Sequence, residues 1–257
     1  MQKITSKDNN LIKHIKKLKE KKYRDEFKEY VIEGIKIVQE AIQENAKIKQ
    51  IVIVEEKEEL IKIAEKYETI LVPQNIFNQI TEVKNPQGIL AVIEKENEEE
   101  KIDYNEEIIV ALDDLQDPGN IGTILRTVDS VGLKQILISK NTVDCYNPKV
   151  VRSTMGAIFR VKIIECENLA QTLEQAKSKK YDIMVTSLEA KKTIYEAQYM
   201  KKIIVIGNEA NGVSEEIKKI ANEQVIIPML GKTESLNASI ACGVILYEYV
   251  RQKIEAK

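Results

Sequence analysis

The sequence predicts an α/β protein of two parts, a small mixed unit followed by a larger one whose mostly parallel sheet is covered on both faces. Three observations predict it. The runs Ile108-Ile109-Val110-Ala111-Leu112, Ile203-Ile204-Val205-Ile206 and Val225-Ile226-Ile227 are continuous apolar segments, the mark of strands buried on both sides. Between such runs the apolar period changes to that of helices, the alternation of crossover units. Glycine is sparse, and eight of the ten, from Gly119 to Gly243, lie in the second part, several of them in loops that leave these strands.

Taken in order, the first half predicts a helix capped by Asn9 or Asn10, with Leu11, Ile15 and Leu18 as an apolar stripe and Lys13, Lys16, Lys17 and Lys21 mostly off it. Strands at 30–33, 49–54, 69–72 and 89–93 and helices at 35–44 and 57–66 complete a small α/β unit. The stretch Glu94-Lys95-Glu96-Asn97-Glu98-Glu99-Glu100-Lys101 has no apolar residue and no period, so it reads as a solvated connection. The expected domains are therefore 1–95, an acidic linker at 96–105, and 106–257. The second half predicts strands at 107–112, 135–138, 160–164, 182–186, 203–207 and 224–227. Its helices fall at 121–131, near 149–156, and at 169–179, 214–221 and 236–251.

Composition excludes several classes. With 257 residues, 43% of them hydrophobic, the chain has enough apolar material for one large core or two ordinary ones. No run approaches the roughly 18 apolar residues of a membrane span, and the first residues lack the apolar stretch of a signal peptide. A soluble, cytoplasmic protein without a membrane partner is expected. Cys145, Cys166 and Cys242 are widely spaced, which supports neither a disulfide framework nor a cysteine zinc site. His14 is the single histidine, so a His-rich metal site and most His-dependent nucleophile schemes lose their base, and no metal is expected. The net charge of −2 conceals an asymmetry: residues 1–30 hold ten Lys/Arg against five Asp/Glu, whereas 94–107 hold eight acids against two lysines. The basic first helix is either a phosphate-contacting surface or a solvated lysine face.

Three polar loops at strand ends call for chemistry, because ligands of parallel sheets bind beyond the carboxyl ends of the strands. In Asp117-Pro118-Gly119-Asn120-Ile121-Gly122 the residue Asn120 is a natural helix cap, and Arg126 follows one turn into the helix, where burial would demand an anionic partner. Neither a Gly-Lys-Ser/Thr phosphate loop nor a dinucleotide G-x-G-x-x-G is formed. The second loop carries Asn208, Glu209 and Asn211, and the third leads through Ser235, Leu236 and Asn237 into a long helix. Ser235 as a plain helix cap is the competing reading.

Together, Asn120-x-Gly122-x-x-x-Arg126, Ile206-Gly207-Asn208-Glu209-x-x-Gly212-Val213-Ser214 and Ile227-Pro228-Met229-x-Gly231-x-x-x-Ser235-Leu236-Asn237-x-Ser239 resemble the three ordered motifs of the SpoU (TrmH) family of the SPOUT superfamily. The first half resembles that family's accessory substrate-binding domain, an L30e-like fold, through Phe27-x-x-Tyr30-Val31-Ile32-Glu33-Gly34 and Gln87-Gly88-Ile89-Leu90-Ala91-Val92. Ala210-Asn211 departs from the usual pattern, in which a glycine is common. The resemblance implies a SPOUT-type sheet with a deep trefoil knot, although true knots are rare. It implies S-adenosylmethionine-dependent 2′-O-ribose methylation of RNA, most simply 23S ribosomal RNA, by a homodimer formed through the second domain. DNA is not expected as a partner.

By the same resemblance, Gly207, Ile227 and Leu236 contact the methyl donor, and Arg126 is the essential catalytic residue, with Asn120, Glu209, Ser235 and Asn237 positioning it and the nucleotide. A guanidinium is a poor base near neutral pH. Arg126 is therefore read as gripping an RNA phosphate and polarising the hydroxyl, with Glu209, the only carboxylate in the three motifs, as the alternative proton acceptor. The competing functions are a tRNA ribose methyltransferase, a non-catalytic RNA-binding or ribosome-assembly factor and, more remotely, a nucleotide-dependent oxidoreductase.

Overall fold

A computed structural model describes residues 1–95 and 101–256 and resolves them into two compact units, 1–95 with 146–159, and 101–145 with 160–256. The chain order in the first unit is β1 (Gln2–Lys3), α1 (Asn10–Lys17), α2 (Lys21–Phe27), β2 (Glu29–Glu33), α3 (Ile35–Gln43), β3 (Ile48–Val54), β4 (Thr69–Val72), α4 (Gln74–Ile80) and β5 (Ile89–Glu94). Its five strands form one mixed sheet in the order β1-β4-β3-β5-β2. Strands β1, β4 and β3 pair parallel, and β5 runs antiparallel to both β3 and β2.

Helix α1 starts where the sequence places it, because the Asn9 side chain accepts from the Leu11 N–H at 2.8 Å. Its buried stripe is Ile12, Ile15 and Leu18, and α4 lays Ile76, Phe77 and Ile80 into the same core. Helix α4 is absent from the elements expected above, although its apolar i, i+1, i+4 spacing after Pro73 carries the helical signal. The expected helix at 57–66 is instead a run of 3₁₀ turns over Glu58–Ala64, opened by an i→i+3 bond from Leu60 N to Lys57 O at 3.0 Å. Arg24 is buried and donates through Nη1 to the Leu18 carbonyl at 2.7 Å, closing the end of α1. That guanidinium is committed to the fold and leaves the set of basic groups facing solvent.

The segment 146–159 falls within the second domain expected from sequence, 106–257, yet it packs within the first unit. The helix Pro148–Ser153 buries Val150 and Val151, and the Tyr146 ring lies 4.8 Å from that of Tyr30. Buried Lys95 places its ammonium 4.4 Å from the centre of the Tyr146 ring and pairs with Asp25 at 2.9 Å. A local strand–helix pattern gives no sign of which sheet such a helix will cover.

The second unit contains β6 (Ile108–Asp113), α5 (Pro118–Ser130), β7 (Gln135–Ser139), β8 (Lys162–Cys166), α7 (Leu169–Lys177), β9 (Asp182–Thr186), β10 (Lys192–Thr193), β11 (Lys202–Gly207), α8 (Glu215–Ile220), β12 (Glu223–Ile226) and α9 (Ala238–Glu255), with Pro148–Ser153 counting as α6 in the chain. Its seven strands, ordered β10-β12-β9-β11-β6-β7-β8, pair parallel throughout. On one face Ile109, Ala111, Ile203, Val205 and Ile183 pack against Leu169, Leu173 and Ile217 of α7 and α8. The alternate residues Ile108, Val110, Leu112, Ile204 and Ile206 are also buried, so both faces are covered, as the continuous apolar runs require.

Of the linker expected at 96–105, residues 96–100 lie outside the described residues. Residues 101–105 are no solvated tether: Ile102 and Tyr104 pack against the second core, and Asp103 N donates to Gln135 Oε1 at 2.9 Å.

From β6 the chain steps outward through β7 to β8, whereas β11, paired beside β6, leads outward on the other side to β12. The carboxyl ends of β6 and β11 therefore flank a topological switch point, where departing loops diverge and leave a crevice.

Candidate active site at the switch point

The loop after β6 begins with a buried acid and a strained residue. Asp113 Oδ2 accepts from Ser214 N at 2.7 Å, and Asp114 takes a left-handed backbone at φ 57°. Asp114 is held there because its N–H donates to Ser139 Oγ at 2.8 Å and its carboxylate accepts from Asn141 Nδ2 at 3.2 Å. Helix α5 then opens at Asp117, whose side chain accepts from Asn120 N at 2.9 Å, with Pro118 in the first turn. Asn120 is thus not the cap the sequence suggested. It sits inside the first turn, 6% exposed, with its amide free for another partner.

That partner is Glu209, which receives Asn120 Nδ2 at 2.8 Å on Oε1 and the N–H groups of Gln116 and Asp117 at 3.3 Å each. The carboxylate of the second loop is therefore clamped by the first. Desolvation works against its charged form, but the Asn120 amide and the backbone N–H groups of Glu209, Gln116 and Asp117 outweigh it and hold the carboxyl below the usual range. A carboxylate so occupied is a weak base, which argues against Glu209 as the proton acceptor and for a structural clamp. Its lowered value also means that the clamp is intact above the ordinary carboxylate range and loosens only as pH falls through that lowered value. Glu209→Gln, which removes the charge behind these bonds, is expected to slow turnover about tenfold with no new titration between pH 6 and 9, as read by single-turnover rates.

The second loop folds back on itself. Asn208 and Gly212 exchange backbone hydrogen bonds at 3.0 and 2.9 Å, and Asn208 Oδ1 accepts from Ala210 N while its Nδ2 donates to the Asp114 carbonyl at 2.8 Å. Gly212 has φ +67°, and Gly207 lies so close beneath the turn that a Cβ there would fall 2.1 Å from the Gly212 carbonyl carbon and 2.2 Å from Val213 N. Only glycine fits at Gly207, for reasons of approach rather than of φ.

The second loop, with those after β9 and β12, lines a cavity of about 440 Å³, within the range of small-molecule sites. Gly207, Glu209, Ile227, Ser235 and Leu236 all line it, and so does Leu188 of the loop after β9, a residue with no polar signal to mark it in the sequence. Asn120 reaches the cavity rim through Glu209 alone. Asn237 caps α9, its Oδ1 accepting from Ser239 N at 3.0 Å and Ser239 Oγ at 2.7 Å, so the capping role considered for Ser235 belongs to Asn237. Ser235 stays exposed on the cavity wall. Arg126 does not line the cavity. It is exposed on α5, and its charge therefore needs no buried anion.

Residues 107–247 match the SpoU rRNA methylase family. The chain belongs to that family. Residues 9–91 match the MRM3-like substrate-binding domain, which covers most of the first unit. Among relatives of this SpoU protein, the 23S rRNA (guanosine(2553)-2'-O)-methyltransferase RlmP of Bacillus subtilis is 29% identical over 96% of this chain and 98% of its own. The 23S rRNA (guanosine-2'-O-)-methyltransferase RlmB of Vibrio parahaemolyticus is 33% identical over 67% of this chain and 73% of its own. The AdoMet-bound rRNA methyltransferase of Sinorhizobium meliloti superposes with a TM-score of 0.86 at 29% identity, covering 98% of each chain. The mostly parallel α/β sheet expected from the three motifs is thereby established, and the second unit's sheet is wholly parallel among the described residues.

Proposed function

We propose that this SpoU protein transfers a methyl group from S-adenosylmethionine to the 2′-hydroxyl of a ribose in 23S ribosomal RNA, working as a homodimer. The observation that carries the reading is that the second and third motif loops line one cavity, with Glu209 tying the second loop to the first motif through Asn120.

The cavity fits the donor in chemistry. Leu188, Ile206, Ile227, Met229 and Leu236 give it apolar walls, bare main chain at Gly207 permits close approach, and Glu189 and Glu234 offer negative charge to a cationic ligand. Gly207, Ile227 and Leu236 would hold S-adenosylmethionine, which when bound supplies the methyl group on an electrophilic sulfonium. Everything else is positioning. Arg126, exposed and without a carboxylate partner among the described residues, grips a phosphate of the RNA and polarises the attacking hydroxyl. The proton leaves to phosphate or water as the new C–O bond forms. Asn120 and Glu209 fix the start of α5, the helix that carries Arg126, relative to the donor loop. Ser235 faces the same cavity, and Asn237 holds the first turn of α9 directly after it.

The direct test is transfer of labelled methyl from the donor to unmodified ribosomal RNA, with the product nucleotide mapped by mass spectrometry. Label in 23S ribosomal RNA is expected. Label only in tRNA would replace the substrate, and RNA binding without any transfer would favour the assembly-factor reading.

For the dimer, the support is on α9. Cys242, Ile245, Leu246 and Tyr249 are buried, while Ile240, Tyr247 and Ile254 are each more than half exposed. With Val244 they follow the spacing 240, 244, 247 and 254, a single apolar stripe along the helix. The double variant Ile240→Asp/Tyr247→Asp is expected to sediment as a monomer at micromolar concentration while the parent sediments as a dimer. A monomeric parent overturns the assignment.

A further inference from the structure

The first unit presents a combination that phosphate contact alone does not explain. Lys17, at the end of α1, sets its ammonium 5.2 Å from the centre of the Tyr23 ring, and Lys22, at the start of α2, sets its own at 5.6 Å. Tyr23 stacks on Phe27 at 6.1 Å and 12°, and Phe27 meets His14 at 4.7 Å. His14 in turn is anchored by Glu29, 2.6 Å from its Nε2. Three half-buried rings thus form a ladder whose inner end is fixed, and whose outer end, Tyr23, carries two exposed cations.

The cations around this ladder differ in what they do. Lys16 donates to Gln79 Oε1 at 2.7 Å and Lys19 to the Thr81 carbonyl at 3.0 Å, so both tie α1 to the chain around the end of α4. Arg24 is buried, and Lys13 lies 3.6 Å from Asp8. Lys17, Lys21 and Lys22 have no carboxylate partner among the described residues, although Glu20 and Glu26 are exposed on the same corner. Two unpaired ammonium groups converging on one ring supply both halves of nucleotide recognition, cations for phosphate and a π-surface for a base.

We infer that the α1–α2 corner, with Tyr23 flanked by Lys17 and Lys22, is a docking site for an unpaired RNA nucleotide whose base packs on the tyrosine and whose phosphates take the two ammonium groups. This rests on the RNA-methylating reading and adds to it a preference for single-stranded segments in the substrate. A ring platform requires a splayed base, which A-form duplex does not offer. The same geometry without RNA would be a cation–π staple of the corner, contributing little at an exposed site.

The experiment compares the full chain with Tyr23→Leu, Tyr23→Phe and Lys17→Gln/Lys22→Gln, using a labelled unstructured RNA of about 12 nucleotides and a blunt RNA duplex over a salt series. Tyr23→Leu is expected to weaken single-strand binding about tenfold with the salt slope unchanged and duplex binding unaffected, and Tyr23→Phe to restore it. The lysine pair should flatten the single-strand slope by about 0.7 per lost phosphate contact. Thermal unfolding of each variant reports the staple separately. Single-strand affinity unchanged in Tyr23→Leu, with only its melting temperature lowered, overturns the proposal while leaving the methyltransferase reading in place. If the parent chain binds neither RNA and labels no ribosomal RNA, it is the reading beneath that fails.

Discussion

Replacing Arg126 with alanine is expected to abolish methyl transfer and to leave the fold and the donor affinity intact. The side chain is exposed on α5, contributes to no core, and stands outside the cavity wall, so its removal opens no void and strips no contact from the donor. What would be lost is the positive charge that the proposed mechanism places beside the reacting hydroxyl. Deleting one preorganised electrostatic group at a reaction centre costs about 10²–10³-fold in rate, and in the proposed mechanism Arg126 also positions the RNA, so a loss at or beyond that range is expected. Single-turnover transfer from labelled donor, alongside calorimetry of donor binding, checks both halves. Near-normal turnover in a folded variant removes Arg126 from the chemistry. Lost donor binding would place it at the cavity instead.

Gly207→Ala should act at the opposite end of the site and by the opposite route. The added methyl cannot be accommodated by a rotamer change, because its nearest neighbours are backbone atoms, the Gly212 carbonyl carbon at 2.1 Å and Val213 N at 2.2 Å. The turn over 208–212 must lift, and with it the mutual bonds of Asn208 and Gly212 and the bond from Asn208 to the Asp114 carbonyl. Overpacking of this kind costs about 1–3 kcal/mol of stability. The larger effect should be on the donor, whose loop is displaced, with affinity falling more than about tenfold. Denaturation in urea and calorimetry separate the two. An alanine variant that binds the donor normally would show that the turn does not touch it.

The two substitutions also distinguish the kinds of site residue. If Arg126 acts by charge on the RNA, as proposed, its loss should leave donor binding alone, whereas the absent side chain of Gly207 is proposed to admit the donor, so its replacement should remove binding first.

The sequence by itself determined the class of fold and the ends of most elements. Period and β-branching mark β6, β9 and β11 within a residue, since a strand buried on both faces must be apolar at every position. Asn9 marks the start of α1 because an unpaired helix N–H demands an acceptor nearby in the chain. The polar loops are equally local in Glu209 and Ser235, whereas Gly207, Ile227 and Leu236 follow from the resemblance to the family motifs; all five line one cavity. What those residues do for one another was decided only by the tertiary structure. Asn120 reads as a cap until the sheet order brings Glu209 within 2.8 Å, 89 positions along the chain. Glu209 reads as the alternative proton acceptor until Asn120, Gln116 and Asp117 donate to it. Arg24 counts as a surface charge until the end of α1 supplies a carbonyl for it, and the helix Pro148–Ser153 reads as part of the second domain until its apolar side packs in the first unit. The physical reason is common to these cases. Periodicity and capping are set by neighbours within about one helical turn, whereas the protonation, pairing and burial of a polar group are set by whichever distant group the fold brings to it.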